Sequence, residues 1–190
     1  MLKKILLMIG AATTLGTLGY TAMAFNLVMK SDAATVLNFA SSEYLPMSPR
    51  LIASWRVQSW DGCPETNRNT NALVLTLRGY GLDGFDKSRV LSTASRLIDL
   101  GCDVDQRSLI GHTAMHEAIL YNEPAVVRFL LAHGADPAVT IKIPDGEPSQ
   151  ARRYYSGMNS IDFAKALQEK SPVADNREEI ISLLDGFQKS

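Results

Sequence analysis
Two tripeptides of one kind, Gly101-Cys102-Asp103 and Gly134-Ala135-Asp136, stand 33 residues apart, and each follows an apolar stretch, Arg96 to Leu100 and Phe129 to His133. A fixed period of this length marks a chain built from repeated supersecondary units. Such a unit has too little surface to bury its own apolar face, so neighbours must stack and the terminal faces must be covered. Composition agrees with a packed stack: 46% of the residues are hydrophobic and only two are cysteine, which excludes a low-complexity chain and a disulfide-dense mini-domain. The balance of 19 basic against 20 acidic side chains lacks the basic excess of a nucleic-acid-binding surface, and no nucleic-acid partner is expected.

The residues between the two tripeptides read as two helices. Thr113 is placed to cap the first, and Met115, Ala118 and Ile119 fall on one of its faces. Asn122-Glu123-Pro124 breaks that helix and starts the next, whose stripe is Val126, Val127, Leu130 and Leu131. Gly134 then ends it, and a projecting hairpin follows. Within this unit Gly111-His112-Thr113-Ala114-Met115-His116-Glu117-Ala118 resembles the ankyrin pattern Gly-x-Thr-Pro-Leu-His-x-Ala, with Ala114 for proline and Met115 for leucine.

The resemblance implies an all-α fold, an ankyrin-repeat solenoid of about three helix-turn-helix repeats in a domain spanning 66–190. The full repeat covers 108–140. A degenerate copy at 66–107 has Asn71 to Thr76 as its first helix and Ser88 to Leu100 as its second, joined by an enlarged loop. Another at 154–188 carries Gly157-Met158-Asn159-Ser160-Ile161-Asp162-Phe163-Ala164, with residues 141–153 inserted before it.

The N-terminal part lies outside the resemblance. Lys3 and Lys4, an uncharged stretch from Ile5 to Tyr20, and the small-x-small site Ala22-Met23-Ala24 have the layout of a secretory signal peptide, so residues 1–24 are expected to be removed. The mature chain then holds 166 residues, and loss of both lysines takes its formal charge from −1 to −3. The alternative is an inner-membrane anchor over residues 5–29, uncharged and long enough to span; membrane association is expected only in that case. Either way the folded part is exported, with the periplasm as its expected location. Residues 25–65 are expected to form a helical cap, with helices after Ser31-Asp32 and from Arg50 to Trp60, and both tryptophans packed on the first repeat. Outside the cytoplasm Cys63 and Cys102 can form a disulfide; the other reading is two buried small hydrophobes.

Other chemical signatures are weaker. Gly79-Tyr80-Gly81-Leu82-Asp83-Gly84 follows the strand-like Ala72 to Leu77 and has the form of a dinucleotide-binding loop, the basis of a distant reading as a nucleotide-binding enzyme. Against it, Asp83 and Asp86 would meet a negative pyrophosphate, and no second strand-helix-strand unit follows. His112 and His116 have a spacing a zinc site can use, yet His116 occupies the histidine position of the ankyrin pattern and no His-Glu-x-x-His accompanies it. No catalytic residue, cofactor or metal is expected.

What remains is a binding module. The resemblance implies a concave face made by hairpin tips and first helices, which selects Leu109, Ile110, His112, Leu120, Tyr121, Tyr155, Met158 and Leu167 as candidate partner-binding residues. In the other reading Leu109 and Ile110 fold under the insertion as core. The expected role of this monomer is to bind one protein, neutralising a secreted toxin or effector in the manner of a periplasmic immunity protein. The alternative is an accessory factor or chaperone for an envelope enzyme, of the oxidative-stress type.

Overall fold
The computed structural model describes residues 2–66, 71–146, 149–171 and 176–188, with side chains from residue 16 to residue 187. Parts of the expected first repeat (67–70), insertion (147–148) and third repeat (172–175) lie outside the described residues. The described residues are helical and contain no strand; a single antiparallel bridge pairs Ser42 with Phe85.

Three helix pairs follow the N-terminal helices. They are α4 (Ala72–Arg78) with α5 (Lys87–Asp99), α6 (Ala114–Leu120) with α7 (Pro124–Ala132), and α9 (Ser160–Lys170) with α10 (Arg177–Gln188). The first helices pack in sequence, α4 on α6 and α6 on α9, while α7 packs on α10. Core side chains such as Leu97, Ile119, Leu130, Phe163 and Leu184 are fully buried between these layers. Burial of one such side chain contributes about 1.5–3 kcal/mol.

The 33-residue echo has a hydrogen-bond counterpart. The N–H of Gly101 donates to Ile98 O (2.9 Å) and that of Cys102 to Leu97 O (3.0 Å); one period later Gly134 donates to Leu131 O (3.1 Å) and Ala135 to Leu130 O (3.0 Å). Both glycines have positive φ, 84° and 83°, so the chain leaves each helix through the left-handed region that glycine tolerates. Asp103 then accepts from the N–H of Asp105 (2.9 Å) and Asp136 from that of Ala138 (2.8 Å), fixing the same turn twice. Glycine, small residue and aspartate are thus a helix stop, a residue that fits beneath it, and a turn.

The N-terminal part comprises α1 (Leu2–Lys30), α2 (Ala33–Ser41) and α3 (Met47–Gln58). Asp32 caps α2 by accepting from Thr35 N–H at 2.8 Å. The helix α2 covers α4 and α5, and α3 packs on α1, α2 and α5. Among the described residues no helix is long and apolar enough to cross a membrane, and α1 runs unbroken past Ala24. Arg56 ties α1 to α3 by donating to the carbonyls of Val28 and Ser31.

Two expectations are corrected here. The second cap helix starts at Met47 rather than Arg50, because Pro49 sits in its first turn, where its missing N–H costs nothing. Of the two tryptophans only Trp60 packs against the core; Trp55 is exposed and lies beside Phe25 of α1, with ring centroids 6.3 Å apart. Cys63 and Cys102 form a disulfide that joins the segment after α3 to the turn after α5.

Candidate protein-interaction face
The turn before α6 is built by its own backbone. Ser108 N–H donates to His112 O (2.7 Å) and Gly111 N–H to Ser108 O (2.9 Å), which leaves Leu109 and Ile110 at the tip. Leu109 is 62% exposed and Ile110 half-buried, so Leu109 is not core. The Gly111 carbonyl accepts from Lys142 N–H (3.1 Å), and a Cβ on Gly111 would lie 1.9 Å from Lys142 O. This turn is therefore locked to the next one. Two further links cross the same gap: Arg107 donates to Thr140 O through Nε (3.1 Å) and Nη2 (2.9 Å), and Asp105 accepts from Asp136 N–H (3.1 Å). Burial raises the Asp105 pKa, against the lowering effect of that N–H.

The insertion is closed at its base, where Ile141 N–H donates to Met158 O and Gly157 N–H to Ile141 O, both at 2.9 Å. Within it Ser149 caps the short helix α8 (Gln150–Tyr154). Tyr154 and Tyr155 stack edge to face at 5.1 Å, and the Lys170 ammonium lies 4.1 Å and 4.6 Å from their ring centres. Such cation–π contacts hold the otherwise projecting rings against α9.

At the far end of α6, about 10 Å from the turn by helical rise, Leu120 and Tyr121 are exposed. The inner side of the same helix carries a polar network. Arg78 of α4 grips Glu117 with Nε (3.0 Å) and Nη2 (3.1 Å), and His112 Nδ1 lies 3.5 Å from Oε1, the carboxylate oxygen that Nη2 also reaches. Burial would raise the Glu117 pKa, but His112 and the Arg78 guanidinium outweigh it and hold it below the ordinary value. The hydrogen bond to Glu117 in turn raises the Arg78 pKa against the effect of burial.

His116 closes a reciprocal cap. Its Nδ1 accepts from Thr113 N–H (3.2 Å) and lies 2.8 Å from the Thr113 hydroxyl, which accepts from His116 N–H. Burial, reinforced by nearby His112 and Arg107, lowers its pKa to about 3, so the ring is neutral.

The eight expected contact residues therefore divide. Leu109, Leu120 and Tyr121 are exposed, Ile110 is half-buried, and Tyr155, Met158 and Leu167 are half-buried against the core. His112 is corrected: it is 5% exposed, with its ring between Glu117 and Phe163, so it supports the face from beneath. Tyr155 meets the same Phe163 ring at 5.0 Å. Tyr154, exposed beside these residues, is not among the eight, although Arg-Arg-Tyr-Tyr in a loop is a signal for it. The pairing of Arg78 with Glu117 had none, because it depends on the register of two helices 39 residues apart.

The glycine-rich loop loses its nucleotide context. Ala72–Arg78 is a helix rather than a strand. A Cβ on Gly84 would lie 2.2 Å from the Tyr44 ring and one on Gly81 2.7 Å from the Glu123 carboxylate, so these glycines make room for neighbouring side chains. A carboxylate at that spot would also repel a phosphate. Among the described residues no group of three or more His, Cys, Asp or Glu is placed to hold a metal ion.

No curated protein matches this chain. Residues 110–142, from the tip of the locked turn through α6 and α7 to the base of the insertion, match the ankyrin repeat family, which supports an ankyrin-repeat protein of the kind that generally binds protein partners.

Proposed function
We propose that the chain is an exported stack of about three ankyrin repeats, near 66–107, 108–140 and 154–188, closed by a helical cap at 25–65. It binds one protein and neutralises it, in the manner of a periplasmic immunity protein acting on a secreted toxin or effector. The observation that carries the binding reading is Leu109: a large apolar side chain, 62% exposed, on a turn that backbone hydrogen bonds hold rigid. Exposed apolar side chains on a preorganised support are characteristic of interface anchors, since little ordering entropy remains to be lost on binding. The disulfide supports export, because such bonds persist in oxidising compartments.

The test is calorimetric titration of the purified chain with secreted effectors, beside an assay of effector activity. The expected result is stoichiometric inhibition by the native chain and loss of both binding and inhibition in Leu109→Asp at unchanged melting temperature. Inhibition that survives Leu109→Asp and Tyr121→Asp would place the contact elsewhere and overturn this assignment.

A further inference from the structure
We propose that the outer face of α3, with the last turns of α1, is a docking surface for an anionic phospholipid bilayer. Met47, Leu51 and Trp55 recur every fourth residue along α3, each more than half exposed, while Pro49, Ala53 and Val57 turn inward. A surface helix normally has one apolar stripe, and it faces the core; α3 has two, and only one is covered. Phe25 of α1 stands beside Trp55, and an open groove of about 260 Å³ runs between Phe25, Leu51, Ile52 and Trp55. All these residues follow Ala24, so removal of the leader would leave every one of them in the chain.

The charge around this groove selects its occupant. Neither α1 nor α3 contains an acidic residue, whereas Lys30 ends α1 and Arg50 stands next to Leu51. Arg56 is turned to the carbonyls of Val28 and Ser31, and the carboxylate of Asp32, the first acid in the chain, caps α2. A second copy of the chain docked through the same two helices would bring further cations and no acid from them to the contact, which opposes association. Lipid phosphates complement them instead. Tryptophan and aliphatic side chains then enter the headgroup boundary while the cations stay at phosphate level. No helix among the described residues is long and apolar enough to cross a membrane, and the contact proposed here is one with the bilayer surface.

The chain has two tryptophans, Trp55 exposed and Trp60 packed against the core, so fluorescence reports the contact directly. The full chain is mixed with vesicles of phosphatidylcholine and phosphatidylglycerol at about 7:3, with and without brominated acyl chains. Emission is expected to be quenched by the brominated lipid in the native chain and in Trp60→Phe, and unquenched in Trp55→Phe. Leu51→Asp and Trp55→Asp are expected to reduce the bound fraction about tenfold. Arg50→Glu, which leaves the apolar stripe intact, should remove the preference for anionic over pure phosphatidylcholine vesicles. Circular dichroism verifies that each variant is folded. Vesicle binding with Trp55 unquenched would mean that α1 binds alone and would overturn the proposal. So would binding unchanged by Leu51→Asp, or a chain that ignores vesicles but forms a dimer lost in the same variants.

Discussion

Lowering the pH from 7.5 to 5 should destabilise this fold through one side chain. The neutral His116 ring accepts from Thr113 N–H, and protonation would turn that acceptor into a donor facing a donor. Its folded pKa is about 3 against 6.5 for the free side chain, so below pH 6.5 the unfolded chain takes up a proton that the folded chain refuses. Stability is then lost at about 1.4 kcal/mol per pH unit, reaching about 2 kcal/mol at pH 5. For a chain of this size that is about 4–8 °C in melting temperature. The Glu117 carboxylate is likewise held below its ordinary value, here by His112 and Arg78 against burial, so its stabilisation also falls with pH but disappears only at lower pH. Asp105, raised by burial, opposes the decline slightly as it protonates. Thermal melts at pH 7.5 and 5 measure the effect, beside His116→Gln, which keeps a capping-box acceptor without the titration. A native melting temperature that does not change with pH, or a variant that declines as steeply as the native chain, would refute the reasoning.

Arg78→Met leaves the Glu117 carboxylate buried with His112 alone and should cost about 3 kcal/mol, whereas Arg78→Met with Glu117→Leu should recover much of it; denaturant melts of both test this. Replacing Cys63 and Cys102 by alanine opens a closure between residues 39 apart and should lower stability by about 4 kcal/mol on the chain-entropy account, read as a shift in denaturant midpoint. Gly111→Ala forces a side chain into the Lys142 carbonyl from a φ of 80°, so it should break the link between neighbouring turns and expose the amide of Lys142 to hydrogen exchange.

Much of this architecture can be read from local chemistry. Gly101 and Gly134 stop helices in one register, and Asp32, Thr113 and Asn159 cap them, because these roles depend on a few consecutive residues. Asn71 to Thr76 reads as a first helix only through the resemblance, and Ala72 to Leu77 looks strand-like by itself for a physical reason: α4 is covered by α2, α5 and α6, so its apolar residues surround it and show no helical period. Trp55 is hard to place from sequence because α3 has apolar residues on both faces, and nothing local says which one meets the core. The candidate face was partly legible. Leu109 and Tyr121 follow from repeat position, but the inward turn of His112 depends on Phe163, 51 residues away and across the insertion.

The central claim, that the locked turn and the end of α6 meet one protein, is tested most directly by site-specific photocrosslinking in cells that express the chain. A benzophenone amino acid replaces Leu109, Tyr121 or, as a control, Ala132, an exposed residue at the end of α7. The expected result is one adduct of discrete mass, the same from positions 109 and 121, and none from 132. No adduct from 109 and 121, or an equal yield of the same adduct from 132, would contradict it.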